Sequence, residues 1–222
     1  MRKVPFINGE FYHIYNRGVD KRDIFGDAED VRRFLQSMKE FNVIEPIGSI
    51  FRNTLKKNKL RGSTSQSPQP PEKLVNFVCY CLNPNHYHFI LEQVADRGIE
   101  KFMQRLGTGY TMYFNEKNKR SGALFQGKFK SVHIKKNSQL LHVSAYVNLN
   151  YRVHQLRGRT SQLVKSSWGE YVGEEKTDFC TKDMILGQFD NTEEYKKFAE
   201  ESLMGTLERR KGEKTAEAVF ME

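Results

Sequence analysis

The sequence has little of what would place it outside a cell or in a membrane. Its 222 residues include only three cysteines, Cys79, Cys81 and Cys180. That odd number, in a chain with no apolar signal-like stretch at its start, argues against a secreted disulfide framework and for a cytoplasmic protein. No apolar run approaches the ~18 residues of a spanning helix; the longest are of strand length, so no membrane association is expected. A glycine-rich phosphate loop is missing, so nothing predicts a bound nucleoside triphosphate. Acidic residues are in the minority: 27 Asp and Glu stand against 36 Lys and Arg, a net charge of +9. That excess favours a polyanionic partner, nucleic acid first, through counterion release.

What is present, at 38% hydrophobic and 12% aromatic residues, suffices for one good core with an appendage. Phe11-Tyr12-His13-Ile14-Tyr15, closed by Asn16-Arg17-Gly18, predicts a first strand and its turn. The acidic start at Asp27–Asp30 and the spacing of Val31, Phe34, Leu35 and Met38 predict a helix to about Phe41. Residues 53–72, with four basic residues before a Ser/Pro/Gln-rich stretch, read as a flexible insertion. Apolar residues 74–82, the turn signal Asn83-Pro84-Asn85 and the run after it predict a hairpin. Ile99, Phe102, Met103, Leu106 and Tyr110 predict a helix from Gly98 to about Glu116. Residues 124–134 alternate as a strand. Residues 138–154 form the last core helix, with Leu140, Val143, Val147 and Tyr151 on its buried stripe and His142, Tyr146 and Asn150 on a neighbouring flank. Beyond Trp168 the chain is polar, with a short helix expected near 193–203. The division expected is a catalytic domain over 1–155 and a partly helical or mobile extension over 156–222.

The chemistry concentrates at two places. In a β-segment, His86 and His88, one residue apart, leave the same face and can clamp a metal ion. Tyr146 and Asn150, at i and i+4, are neighbours on one helix face. An ion held by His86 and His88 needs a third protein ligand and open positions for phosphate oxygens, and the Asn150 carbonyl can serve. Tyr146 can then attack phosphorus and keep the bond energy in a phosphotyrosine link. Arg17, Lys21 and Arg22 after the first strand, Lys128 and Lys130 in the fourth, and the ring of Phe125 are candidate contacts to single-stranded DNA.

The motifs Tyr12-His-Ile-Tyr-Asn-Arg-Gly-Val-Asp20, Asn83-Pro-Asn-His-Tyr-His-Phe-Ile90, Gly122-Ala-Leu-Phe-Gln-Gly-Lys-Phe-Lys130 and Tyr146-Val-Asn-Leu-Asn150 resemble those of the single-tyrosine HUH transposases. The REP-associated tyrosine transposases and their insertion-sequence relatives resemble them most. The resemblance covers roughly residues 8–155. It implies an α+β fold, a ferredoxin-like antiparallel sheet with helices packed on one face, followed by a C-terminal extension. It also implies Mg²⁺ or Mn²⁺, Tyr146 as nucleophile, Asn150 as third ligand, and single-stranded DNA with a hairpin as substrate. The active site is assembled within one chain or across a homodimer. Relatives often have proline after the last asparagine; here Tyr151 follows, so the helix is expected to run on. The alternative in a different class is a hairpin-binding protein derived from such a transposase that does not cut.

Ordinary readings apply to other residues. His13, His133, His142 and His154 are taken as structural. Cys79 and Cys81 with His86 and His88 could in principle hold zinc, and hairpin register decides. A three-residue turn at 83–85 pairs Leu82 with His86 and Tyr80 with His88, which puts the cysteines on the opposite face, where they are expected to be buried.

Overall fold

The computed structural model describes residues 5–50, 71–153 and 162–219, with side chains up to Glu208; most of the 53–72 insertion and the position of His154 therefore lie outside the described residues. The order is β1 (Phe11–Arg17), α1 (Ala28–Glu40), β2 (Val75–Asn83), β3 (His86–Gln93), α2 (Gly98–Lys117) and β4 (Lys130–Ile134). The strands lie antiparallel in the order β4-β1-β3-β2, with a short fifth strand, β5 (Lys165–Ser166), added beside β2. This is a mixed α+β fold in the ferredoxin-like arrangement.

Strand alternation divides the molecule into two layers. One face of the sheet carries Ile14, Phe77, Tyr87 and Phe89, and it meets Phe34 of α1 and Phe102 of α2 through edge and tilted ring contacts. Here α1 and α2 cover one face, in line with the expected packing of helices on one face. The opposite face carries His13, Tyr15, His86 and His88, and it is covered by a further helix, α3 (Asn137–Asn148), so helices flank the sheet on both sides. The reason lies in the central strands: nearly every residue of β2 and β3 is buried, and a strand apolar on both sides needs two covering layers.

Local chemistry sets the boundaries. Asp27 caps α1 by accepting from the Asp30 amide at 3.0 Å, with Glu29 and Asp30 favourably placed in the first turn. At the start of α2, a Cβ on Gly98 would lie 2.1 Å from the Leu74 carbonyl oxygen, so only glycine lets the helix approach β2 this closely.

Three elements differ from expectation. The strand over 124–134 is shorter and begins at Lys130. Gly127, at φ +67°, turns the chain out of the extended conformation, and only a single bridge from Phe125 to Gly18 precedes it. The last core helix does not run unbroken to 154. It stops at Asn148, with Leu149 at φ −104°, ψ 12°, and resumes for one turn as α4 (Asn150–Val153). The third difference is the extension, which is more ordered than its composition suggests. After β5 come α5 (Trp168–Tyr171), α6 (Asp183–Leu186) and a long α7 (Thr192–Val219). Asn191 Oδ1 accepts from the Glu194 amide at 3.0 Å to start α7, and Tyr195, Ala199 and Leu203, four residues apart, are buried along one stripe.

Candidate active site

The site is built on the β2–β3 hairpin, whose turn has two residues, Pro84 and Asn85, rather than three. The register is therefore Asn83 opposite His86 and Cys81 opposite His88. This corrects the expected pairing and places the cysteines on the same face as the histidines. Cys81 is fully buried, and desolvation pushes its thiol up to about 12; Cys79 moves in the same direction for the same reason. Among the described residues, no group of three or more His, Cys, Asp and Glu side chains gathers in a metal-holding arrangement.

The segment after β1 fixes the turn in space. The amides of Ile24 and Phe25 donate to the Pro84 carbonyl at 2.7 and 3.0 Å, and the Gly18 amide donates to the Asn85 carbonyl at 2.8 Å. Asn85 then orients the first histidine: its Oδ1 lies 2.6 Å from His86 Nδ1. An amide oxygen can only accept, so Nδ1 carries the proton and the Nε2 lone pair points the other way. Across from Nε2, at 3.1 Å, lies Asn150 Oδ1, a second acceptor. Asn83 Nδ2 donates to both, at 3.1 and 2.8 Å. Asn83 Oδ1 and Asn150 Nδ2 are buried without a hydrogen-bond partner among the described residues.

The helix break makes this approach feasible. Asn150 is fully buried at the first position of α4, directed to the hairpin, whereas Tyr146 stays on α3 and is half-buried over the second histidine. Its ring meets His88 edge-on at 5.6 Å and His13 at 6.1 Å. His88 in turn is sandwiched among β1 side chains, its Nδ1 2.8 Å from His13 Nε2 and its ring stacked with Tyr15. Burial holds the His13 imidazole down to about 4, so His13 is neutral near neutrality. His13, read from the sequence as structural, contacts His88 directly. A signal for it existed, because His13 and Tyr15 share a face of β1, but the β1–β3 register that sets His13 and Tyr15 opposite Ile90 and His88 has no local marker. His133 and His142 keep structural contacts, with Glu10 and with Ser202 and Phe198 respectively, so His142 does not join Tyr146 at the site.

Tyr146, His86 and His88 line a cleft of about 530 Å³ together with Arg17, Lys21 and Lys130, and no carboxylate lines it among the described residues. Three of the six expected DNA contacts thus border the histidines. Exposed Arg22 does not; its Nε bonds the Val19 carbonyl at 3.3 Å. Lys128 and Phe125 face a separate hollow, and Phe125 packs edge-on against Tyr87.

The comparison with protein families bears on the same stretch: residues 69–150 match the family described as Transposase IS200 like. The chain is similar to IS200-like transposases. The matched stretch contains both histidines, Tyr146 and Asn150. A solved structure of the REP-associated tyrosine transposase bound to a REP hairpin also aligns, with a TM-score of 0.48 and 13% identity, over 78% of this chain and 85% of that one. No curated protein matches the chain. Among the described residues, no helix is long and apolar enough to cross a membrane.

Two imidazole nitrogens and one amide oxygen are a borderline-to-hard donor set that a divalent ion could use.

Proposed function

We propose that this chain is a transposase that nicks and rejoins single-stranded DNA at hairpin-flanked sites, with Tyr146 as nucleophile. His86 Nε2, His88 and Asn150 Oδ1 would hold Mg²⁺ or Mn²⁺, which when bound neutralises and polarises the scissile phosphate. For His88 to offer Nε2, its Nδ1 proton goes to neutral His13, the usual second partner that fixes a ligating imidazole. Arg17, Lys21 and Lys130 draw the strand into the cleft and position its phosphates. The Tyr146 oxygen gives up its proton and bonds to phosphorus; the bond from phosphorus to the 3′ oxygen breaks, and that oxygen leaves as a hydroxyl once protonated. The 5′ end stays on Tyr146 as a phosphodiester, so attack by another 3′ hydroxyl reverses the chemistry onto a new strand without an energy source.

One observation carries the reading: the Asn150 oxygen and His86 Nε2 converge at 3.1 Å, while His86, His88 and Tyr146 share a cleft lined by cations with no carboxylate among its described lining residues. The family match over 69–150 supports it. The test is cleavage of a pool of DNA hairpins with randomised single-stranded flanks, with Mn²⁺ or with chelator, by the parent, His86→Ala and Asn150→Ala. Metal-dependent cleavage that disappears in both variants is expected. Tight hairpin binding by the parent without cleavage in any metal would instead support a binding protein that no longer cuts.

A further inference from the structure

The stretch over 124–129 divides two hollows. It is pinned to the end of β1: the Val19 amide donates to the Leu124 carbonyl at 3.0 Å, the Gln126 amide to the Arg17 carbonyl at 2.8 Å, and Asn16 Nδ2 to the Gly127 carbonyl at 3.2 Å. On one side lies the cleft of Tyr146. On the other lies a larger cavity, about 750 Å³, and Asn16 lines both.

One wall of this cavity is a stripe of α2: Met103, Gln104, Gly107, Thr108 and Thr111, spaced at i, i+1, i+4, i+5 and i+8 on one helical face. The facing wall carries Phe125, Lys128 and Phe129. Two glycines lie within the helix here, for different reasons. A Cβ on Gly109 would lie 2.6 Å from Phe41 Cζ, whereas one on Gly107 would meet nothing within 4 Å among the described residues. Packing therefore demands Gly109 and does not demand Gly107. Glycine is a poor helix former, so the helix is weakened at Gly107 while the cavity stays open.

We propose that this cavity receives one unpaired nucleobase of the strand whose phosphate is cut in the adjoining cleft. Its volume falls within the range of small-molecule sites. Aromatic rings offer stacking faces, and an amide and two hydroxyls can address a base edge. Lys128 on one side of the dividing stretch and Lys130 on the other suit a backbone crossing between them. A single strand passing over 126–130 would set a phosphate in the cleft and a neighbouring base in the cavity. The assignment rests on the DNA reading of the cleft, and it adds where sequence preference in the unpaired flank arises.

The test uses the whole chain labelled with ¹³C-methyl methionine, since Met103 and Met112 both line the cavity. It is titrated with single-stranded dA, dC and dT octamers and with an abasic octamer that keeps the phosphates. The base-bearing octamers should shift the Met103 and Met112 methyl signals, in the parent and in Tyr146→Phe alike, and the abasic octamer should not. Gly107→Leu and, as a second variant at an exposed position, Thr108→Leu should abolish those shifts. They should weaken base-bearing octamers about tenfold and leave abasic binding unchanged; Gly107→Ala should bind as the parent and melt no lower. Equal shifts with the abasic octamer, or parental affinity in both leucine variants, would overturn the proposal. Covalent adduct formation on hairpin DNA with randomised flanks and Mn²⁺, measured in parallel, separates the two readings: methyl shifts without adducts leave the cavity assignment standing and remove the catalytic one, and adducts without methyl shifts do the reverse.

Discussion

At the scale of single residues, the account turns on which atoms are held facing one another. His13 Nε2 lies 2.8 Å from His88 Nδ1, so His13→Phe should raise the Mn²⁺ concentration for half-maximal cleavage about 10- to 100-fold, as removal of such partners does, with smaller effects from His13→Gln. An unchanged metal requirement in His13→Phe would remove His13 from the site. The same residue predicts a pH effect on stability. Its folded value is held down to about 4 from 6.5, so between these values the unfolded chain binds more protons. The stabilisation from keeping His13 neutral is present above about pH 6.5 and fades as pH falls towards 4. The Tm of His13→Asn should therefore drop less over that window than the parent's, and parallel curves would contradict the assignment. Asn150 was singled out in the sequence by its i, i+4 spacing from Tyr146, although the break at Leu149 puts the two on different helices. The roles of Asn83 and Asn85 were not legible, since both read as turn formers, and the hydrogen bonds that aim His86 depend on a turn one residue shorter than composition suggested.

At the scale of elements, the extension does more than decorate the core. Tyr195 of α7 lies with its hydroxyl 2.9 Å from Asn148 Nδ2 and 3.2 Å from Ser144 Oγ, and Ser167 Oγ donates to Asn148 Oδ1 at 2.6 Å. All four residues are buried. They anchor the last turn of α3, two residues before Asn150. Tyr195→Phe should lower the unfolding free energy by about 1–3 kcal/mol, because Asn148 loses a buried partner, as read by urea denaturation. It should also raise the metal requirement as Asn150 loosens; a change in neither would show that α7 is dispensable to the site. The six core elements were legible because periodicity and turn residues mark them locally. Long α7 was foreshadowed only near 193–203, where Tyr195, Phe198, Ala199 and Leu203 give the pattern; Leu207 extends the stripe by one turn, and a charged run follows. The break at Leu149 was not legible either, because nothing in Asn148-Leu149-Asn150 excludes a continuing helix; tertiary contacts from Asn148 to the tail and from Asn150 to the hairpin decide it.

At the scale of the whole molecule, the surplus of +9 has a local expression in the cleft, where Arg17, Lys21 and Lys130 stand without a carboxylate among the lining residues. Removing one cation that neutralises a phosphate should reduce the slope of log affinity against log salt by about 0.7 for a single strand. Lys130→Gln should show that reduction with little change in which flanks are bound, since phosphates carry no sequence. A slope equal to the parent's would place the strand elsewhere. The most direct test of the whole account is to incubate the protein with Mn²⁺ and hairpin DNA bearing randomised flanks, then locate any covalent DNA by mass spectrometry of the peptides. The account predicts a 5′-phosphate linked to Tyr146, absent with chelator and absent in Tyr146→Phe, which still binds the DNA. Linkage to Tyr151 or another tyrosine, or cleavage by Tyr146→Phe at the parental rate, would contradict it.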